Sequence, residues 1–133
     1  MTQLLVTALT VLLSIHAPHA RDVRATLTFR YDMQCGYPGP DALVLHFPQR
    51  VPQHLARKAV LLDGKPVPAV TVLGHRVTLR MPPRPIVMCD SIGPGRLTVA
   101  FTRAAHLTNP VAGRYRIVAT KGTMRFSAPV TIR

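Results

Sequence analysis

The sequence predicts an all-β domain of seven to nine short strands, which form two antiparallel sheets that pack as a sandwich. Apolar and polar residues alternate with a period of two in most segments, as they do in strands with one buried face. Turn-forming proline and glycine residues recur about every ten residues, the spacing typical of all-β sandwiches. The 13 prolines exclude long helices, and no segment has the pattern of a crossover helix between parallel strands.

The alternation is clearest in residues 96–101 and 114–120, two strand-like runs joined by a loop. Their predicted inward positions are Leu97, Val99, Phe101, Tyr115, Ile117 and Ala119. In the loop, Pro110 cannot donate a hydrogen bond to a strand ladder, and Gly113 tolerates a positive φ. These two residues predict a loop that leads directly into the second predicted strand.

The other predicted strands follow the same alternation and are bounded by turn signals. In chain order they are residues 24–33, 41–47, 59–62, 67–73, 76–81, 86–91 and 124–132. Asp63 and Gly64 form a strong signal for a tight hairpin turn, and Gly74 with His75 forms a second one.

Residues 1–20 have the composition of a secretory signal peptide. Residues 4–15 form an apolar run that is too short to cross a hydrocarbon core of about 30 Å as a helix. Ala20 suits the position before a cleavage site, and a polar stretch begins at Arg21. We therefore predict a signal helix over residues 1–20, a sandwich domain over residues 21–133 and no transmembrane span in the mature chain. The alternative is a buried first helix or an uncleaved interfacial anchor.

Arginine dominates the charge of the chain. Seventeen Lys and Arg against five Asp and Glu give a net charge of +12, which attracts anionic partners. By strand phase, the outward arginines are Arg24, Arg30, Arg76, Arg80, Arg96, Arg114, Arg116 and Arg125. If residues 114–120 pair beside residues 96–101, and residues 76–81 join that sheet, one face collects a candidate anion-binding set. That set is Arg76, Arg80, Arg96, Arg114 and Arg116; the alternative is a solvated face that discourages aggregation.

The chain has two cysteines, Cys35 and Cys89. Export would place them in an oxidising compartment, which predicts a disulfide bond between them. Their spacing is not that of a Cys-x-x-Cys redox pair, so we interpret the bond as a structural staple. Two free buried thiols are the alternative.

No pattern of catalytic or metal-binding residues is present. The histidines of the predicted mature part are His46, His54, His75 and His106, and we expect each of them on the surface or in a loop. No two of them have a metal-ligand spacing. Nucleophile elbows, paired carboxylates and phosphate loops are also missing, so we predict no enzyme, no cofactor and no metal site. A soft copper site from Met33, Met81 and Met88 is conceivable, but core filling is the favoured role of these side chains.

The segments VTLRMPP and LTNPVAGRYRIVAT, with the preceding Asp63-Gly64 turn, resemble immunoglobulin-like β-sandwich modules of secreted and surface-attached bacterial proteins. Asn109-Pro110 followed by Gly113 and Tyr115 carries most of this resemblance, which covers residues 25–131. It implies an immunoglobulin-like sandwich. A fainter resemblance, through ALVLHFPQRV and GRYRIVAT, is to the small periplasmic copper-carrier sandwiches.

These observations lead to three functional hypotheses for a secreted, periplasmic or cell-envelope protein. The first is a non-catalytic module that binds an anionic envelope polymer or a lipid surface through its arginines. The second is a periplasmic carrier of copper or of a small ligand. The third is a folding or interaction partner of another secreted protein. Sequence-specific binding of nucleic acid is not expected.

Overall fold

The computed structural model describes residues 8–32, 42–81, 94–121 and 124–133, which form two five-stranded antiparallel sheets. The strands in this part of the chain are β1 (Ala8–Leu13), β2 (Ala25–Asp32), β3 (Ala42–His46), β4 (Val60–Leu62), β5 (Lys65–Pro66), β6 (Ala69–Leu73), β7 (Arg76–Arg80), β8 (Pro94–Phe101), β9 (Gly113–Lys121) and β10 (Met124–Ile132). The first sheet has the order β1-β2-β8-β4-β5, and the second has the order β10-β9-β3-β7-β6. Short 3-10 turns lie at Arg57–Ala59 and Arg103–Ala105. The predicted two-sheet sandwich is confirmed.

The predicted alternation also holds. In β7, Val77 and Leu79 are fully buried, whereas Arg76 and Arg80 are exposed. The same pattern in the other long strands gives a core between the two sheets, since successive side chains of a strand point to opposite faces.

Two aromatic pairs join the sheets across this core. Phe29 of β2 lies edge-to-face against Phe126 of β10, with ring centroids 5.1 Å apart. Phe101 of β8 packs in the same way against Phe47, which follows β3, at 5.2 Å. Edge-to-face aromatic pairs contribute about 0.5–1.5 kcal/mol beyond the area that they bury.

The predicted hairpin turn at Asp63 and Gly64 connects β4 to β5. Both residues have positive φ, 48° and 86°, as a tight type I′ turn requires. The Asp63 carboxylate accepts a hydrogen bond from the Thr98 N–H at 2.9 Å, which fixes the turn against β8. Gly74, with φ 62°, forms the second predicted turn, between β6 and β7.

The strand predicted over residues 67–73 is shorter than expected and starts at Ala69. The chain leaves the first sheet after Pro66 and enters the second sheet at Ala69. Pro66 and Pro68 have no N–H for a continuous ladder. Between them, Val67 is fully buried and donates its N–H to the Val60 carbonyl at 3.0 Å. This bend therefore allows one segment to contribute to both sheets.

The N-terminal segment differs from the expected helix. Residues 8–13 form β1, an edge strand that pairs with β2 from Ala8 opposite Arg30 to Leu13 opposite Ala25. Of the described residues up to 20, Leu13 alone belongs to the buried core. Cleavage after Ala20 stays a prediction, as does the disulfide, because Cys35, Cys89 and the predicted strand over residues 86–91 lie outside the described residues.

Asn109 holds the segment after β1 in place. It is 2% exposed, and its side-chain amide donates to the carbonyls of Ile15 at 2.6 Å and Ala17 at 3.0 Å. Its backbone N–H donates to the Ala20 carbonyl at 2.9 Å. The asparagine noticed in the sequence therefore links the loop before β9 to the N-terminal segment.

We expect Asn109→Ala to destabilise the full-length chain by about 1–3 kcal/mol, because the two hydrogen bonds of the buried Asn109 amide to the Ile15 and Ala17 carbonyls are lost. In a chain that begins at Arg21 these acceptors are absent, so the same substitution should cost much less. Urea unfolding of both chain lengths measures the difference, with the exposed Thr108→Ala as a control. Equal losses in the two chains would contradict the assigned role.

Candidate anion-binding face

The outer face of the second sheet carries a group of exposed cationic and imidazole side chains. We call this group the basic face; its members are His46, Arg76, Arg80, Arg114, Arg116 and Arg125. They lie on β3, β7, β9 and β10. Each points outward because its strand neighbours are the apolar residues that fill the core.

Strand register determines how the basic face is spaced. Arg76 lies opposite His46, which lies opposite Val118 of β9. The Arg116 guanidinium donates through Nε to the Ser127 hydroxyl at 2.8 Å. No two arginines of the basic face are direct cross-strand partners. This spacing limits repulsion between like charges, which is strongest for residues directly opposite each other.

Carboxylates are located elsewhere among the side chains that the structure describes. Asp63 lies in the β4–β5 turn of the first sheet. Asp22 Oδ1 lies 2.7 Å from His106 Nδ1, before the bridge that pairs Val23 with Leu107. The basic face therefore has no carboxylate partner within the described part of the chain, and its guanidinium groups point to solvent.

Arg96 does not belong to the basic face. It lies on β8 of the first sheet, directly opposite Arg30 of β2. The expected pairing of residues 96–101 with residues 114–120 is wrong, because β8 pairs with β2 and β4 whereas β9 pairs with β3 and β10. The loop between them passes from one sheet to the other. The expectation that residues 76–81 join the sheet of residues 114–120 is met, with β3 between them.

The sequence prediction left two members of the basic face out of the candidate set. Arg125 was identified as an outward residue of the last strand, and His46 as a surface histidine, but their sheet neighbours could not be read from alternation. In contrast to these exposed residues, the Lys121 side chain faces inward at the end of β9 and is 6% exposed. Burial lowers the pKa of its ammonium group.

The described histidines form no group that suits a metal ion. His46, His54, His75 and His106 are all exposed, as predicted. Within residues 8–32, 42–81, 94–121 and 124–133, no three His, Cys, Asp or Glu residues form a group suited to a metal ion. Met81 is 4% exposed and fills the core, whereas Met33 and Met88 lie outside the described residues. No helix in the described part of the chain is long and apolar enough to span a membrane.

These features define an antiparallel two-sheet β-sandwich with a basic outer surface. Neither a model of a known protein family nor a curated protein sequence matches the chain significantly. Among solved structures, the chain is similar to the crystal structure of BslA, a bacterial hydrophobin. The two align with a TM-score of 0.59 over 96% of this chain and 98% of BslA, at 14% sequence identity. At this identity the similarity establishes the shared fold.

Proposed function

We propose that this protein is a non-catalytic module of the secreted or cell-envelope compartment, and that its basic face binds an anionic partner. The observation that carries the proposal is the concentration of arginines on one sheet face from which the described carboxylates are absent. Guanidinium groups form planar, two-pronged hydrogen bonds with carboxylates and phosphates. A polyanion would also relieve the mutual repulsion of these cations.

We expect the protein to bind phosphatidylglycerol vesicles at low salt and to release them as salt rises. The triple variant Arg76→Ser/Arg114→Ser/Arg116→Ser should bind about 100-fold more weakly, because each basic residue near an anionic membrane surface contributes about 1 kcal/mol. Co-sedimentation at several salt concentrations measures this change.

The control for this experiment is Arg24→Ser/Arg30→Ser/Arg96→Ser, which removes the same charge from exposed positions outside the second sheet. Both triple variants should unfold within about 0.5 kcal/mol per substitution of the parent, as is usual for exposed residues. If both lose the same affinity, net charge and not the basic face is responsible.

Export is the second part of the proposal. It is supported by the apolar segment before Ala20 and by the small share of that segment in the buried core. Among the described residues up to Ala20, Leu13 alone is buried in the core, and Leu9, Val11 and Ala20 are partly buried against it. The sandwich therefore keeps most of its described apolar core if the segment is removed. The edge strand β1 would then be lost, and β2 would become the edge of the first sheet.

We expect the exported protein to begin at Arg21 and to contain a bond between Cys35 and Cys89. Its intact mass should equal that of residues 21–133 less the two hydrogens that a disulfide removes. A mass that includes residues 1–20 would exclude cleavage, and two thiols that alkylate without reduction would exclude the bond.

A second candidate function is adsorption to an interface between water and an apolar phase. The similarity to a bacterial hydrophobin favours it, together with exposed apolar side chains near the N-terminal segment. Leu12 and Val111 are 66% and 56% exposed. They lie on segments that are joined through the Asn109 hydrogen bonds. This candidate requires the N-terminal segment to be kept.

If the second candidate is correct, the full-length protein should lower the surface tension of water, and Leu12→Ser/Val111→Ser should reduce this effect strongly. Leu73→Ser is the matched control, since Leu73 is 66% exposed on the distant edge strand β6. Pendant-drop measurements at equal protein concentration compare the variants. Equal effects of both changes would exclude an adsorbing patch at this position.

A further inference from the structure

We propose that the partner of the basic face is a linear acidic polysaccharide that crosses the strands of the second sheet diagonally. This inference rests on the function proposed above and specifies its ligand. It uses five members of the basic face, which we call the diagonal track: Arg114, Arg116, His46, Arg76 and Arg80.

The register of the strands places these residues along one diagonal. Arg114 and Arg116 follow each other on the outer face of β9, about 7 Å apart for two residues of a strand. The next outward residue of β9, Val118, lies in one row with His46 and Arg76. Each step along that row crosses one strand, or about 5 Å.

Arg80 extends the diagonal track beyond this row. Because β3 is antiparallel to both β7 and β9, the last two strands run in the same direction. Arg80 therefore lies further along the direction that leads from Arg114 to Arg116, about 14 Å beyond Arg76. The whole track spans about 30 Å from Arg114 to Arg80, whereas Arg125 lies beside it on the edge strand β10.

The spacing of the cations indicates how densely the partner is charged. Duplex DNA carries one charge per about 1.7 Å of its axis. The four arginines of the diagonal track follow each other at about 7–14 Å, counted from strand register. A chain with one carboxylate per sugar unit fits this sparse spacing better than a densely charged duplex, and it presents the planar group that arginine holds with two hydrogen bonds.

The side chains around the track argue against single-stranded nucleic acid. Its described outward neighbours are small or aliphatic: Ala42, Val44, Ala69, Thr71, Leu73, Thr78, Val118, Thr120, Ser127, Pro129 and Thr131. Proteins that bind single strands without sequence preference stack bases on aromatic side chains. No aromatic ring is among these neighbours, so the described face offers no side chain on which a base could stack.

The experiment titrates the full chain with oligogalacturonates of increasing length and with polygalacturonate. We expect affinity per chain to increase until the oligomer spans both ends of the track and then to level off. Arg114→Ser/Arg116→Ser at one end and Arg76→Ser/Arg80→Ser at the other should each weaken polymer binding about tenfold. An oligomer that is too short to reach both ends contacts only part of the track. At least one of these two variants should therefore weaken binding of the oligomer less than it weakens binding of the polymer.

A control separates the track from charge alone. Arg30→Ser/Arg96→Ser removes the same charge from the first sheet and should weaken polymer binding less than about twofold. Affinity that is independent of oligomer length, or equal losses in control and track variants, would overturn the inference. Tighter binding of phosphatidylglycerol vesicles or single-stranded DNA would also overturn it, while leaving an anionic partner in place. Failure to bind any of these probes would contradict the proposed function itself.

Discussion

The two edge-to-face phenylalanine pairs are the contacts on which the sandwich depends. The chain has four phenylalanines, and each takes part in a pair that joins one sheet to the other. Phe101 ends β8 opposite Ala25, four residues along the β2–β8 ladder from Phe29, so the sheets are held together at two separate levels. Removing a buried phenylalanine side chain typically costs about 3–5 kcal/mol. Once these pairs fix the inner faces, every second residue of a strand must point to solvent.

The exposure of the arginines follows from this alternation of buried and solvent-facing residues. Arg76 and Arg80 can be exposed because Val77 and Leu79 supply the buried face of the same strand. Which arginines act together is decided by strand order and not by the charge count. Arg96 lies opposite Arg30 on the first sheet, while the basic face belongs to the second. Two chains with the same net charge can thus present different surfaces to a polyanion.

Alternation predicted burial well because it is a local property of an extended chain. The inward position of Val77 and the outward position of Arg76 needed no knowledge of neighbouring strands. Pairing is not local, and for this reason the position of Arg96 was predicted incorrectly. The change of sheet at Val67 depends on a backbone bend between Pro66 and Pro68, and the alternation of apolar residues does not reveal it. The apolar residues 8–13 are a third place where the structure differs from the prediction, because the same composition suits a signal helix and an edge strand.

The N-terminal segment is attached to the domain by apolar and by polar contacts. Leu13 is buried in the core, with Leu9, Val11 and Ala20 partly buried against it. The Asn109 amide is buried with the carbonyls of Ile15 and Ala17 as its acceptors. Loss of the segment would leave the edge of β2 open, where the outward Arg30 discourages pairing with another chain. Most of the basic face lies on β3, β7 and β9 of the other sheet, which the N-terminal segment meets at β10. We therefore expect binding of a polyanion to depend little on how the N-terminus is processed. Adsorption through Leu12 requires the segment, so processing would separate the two candidate functions.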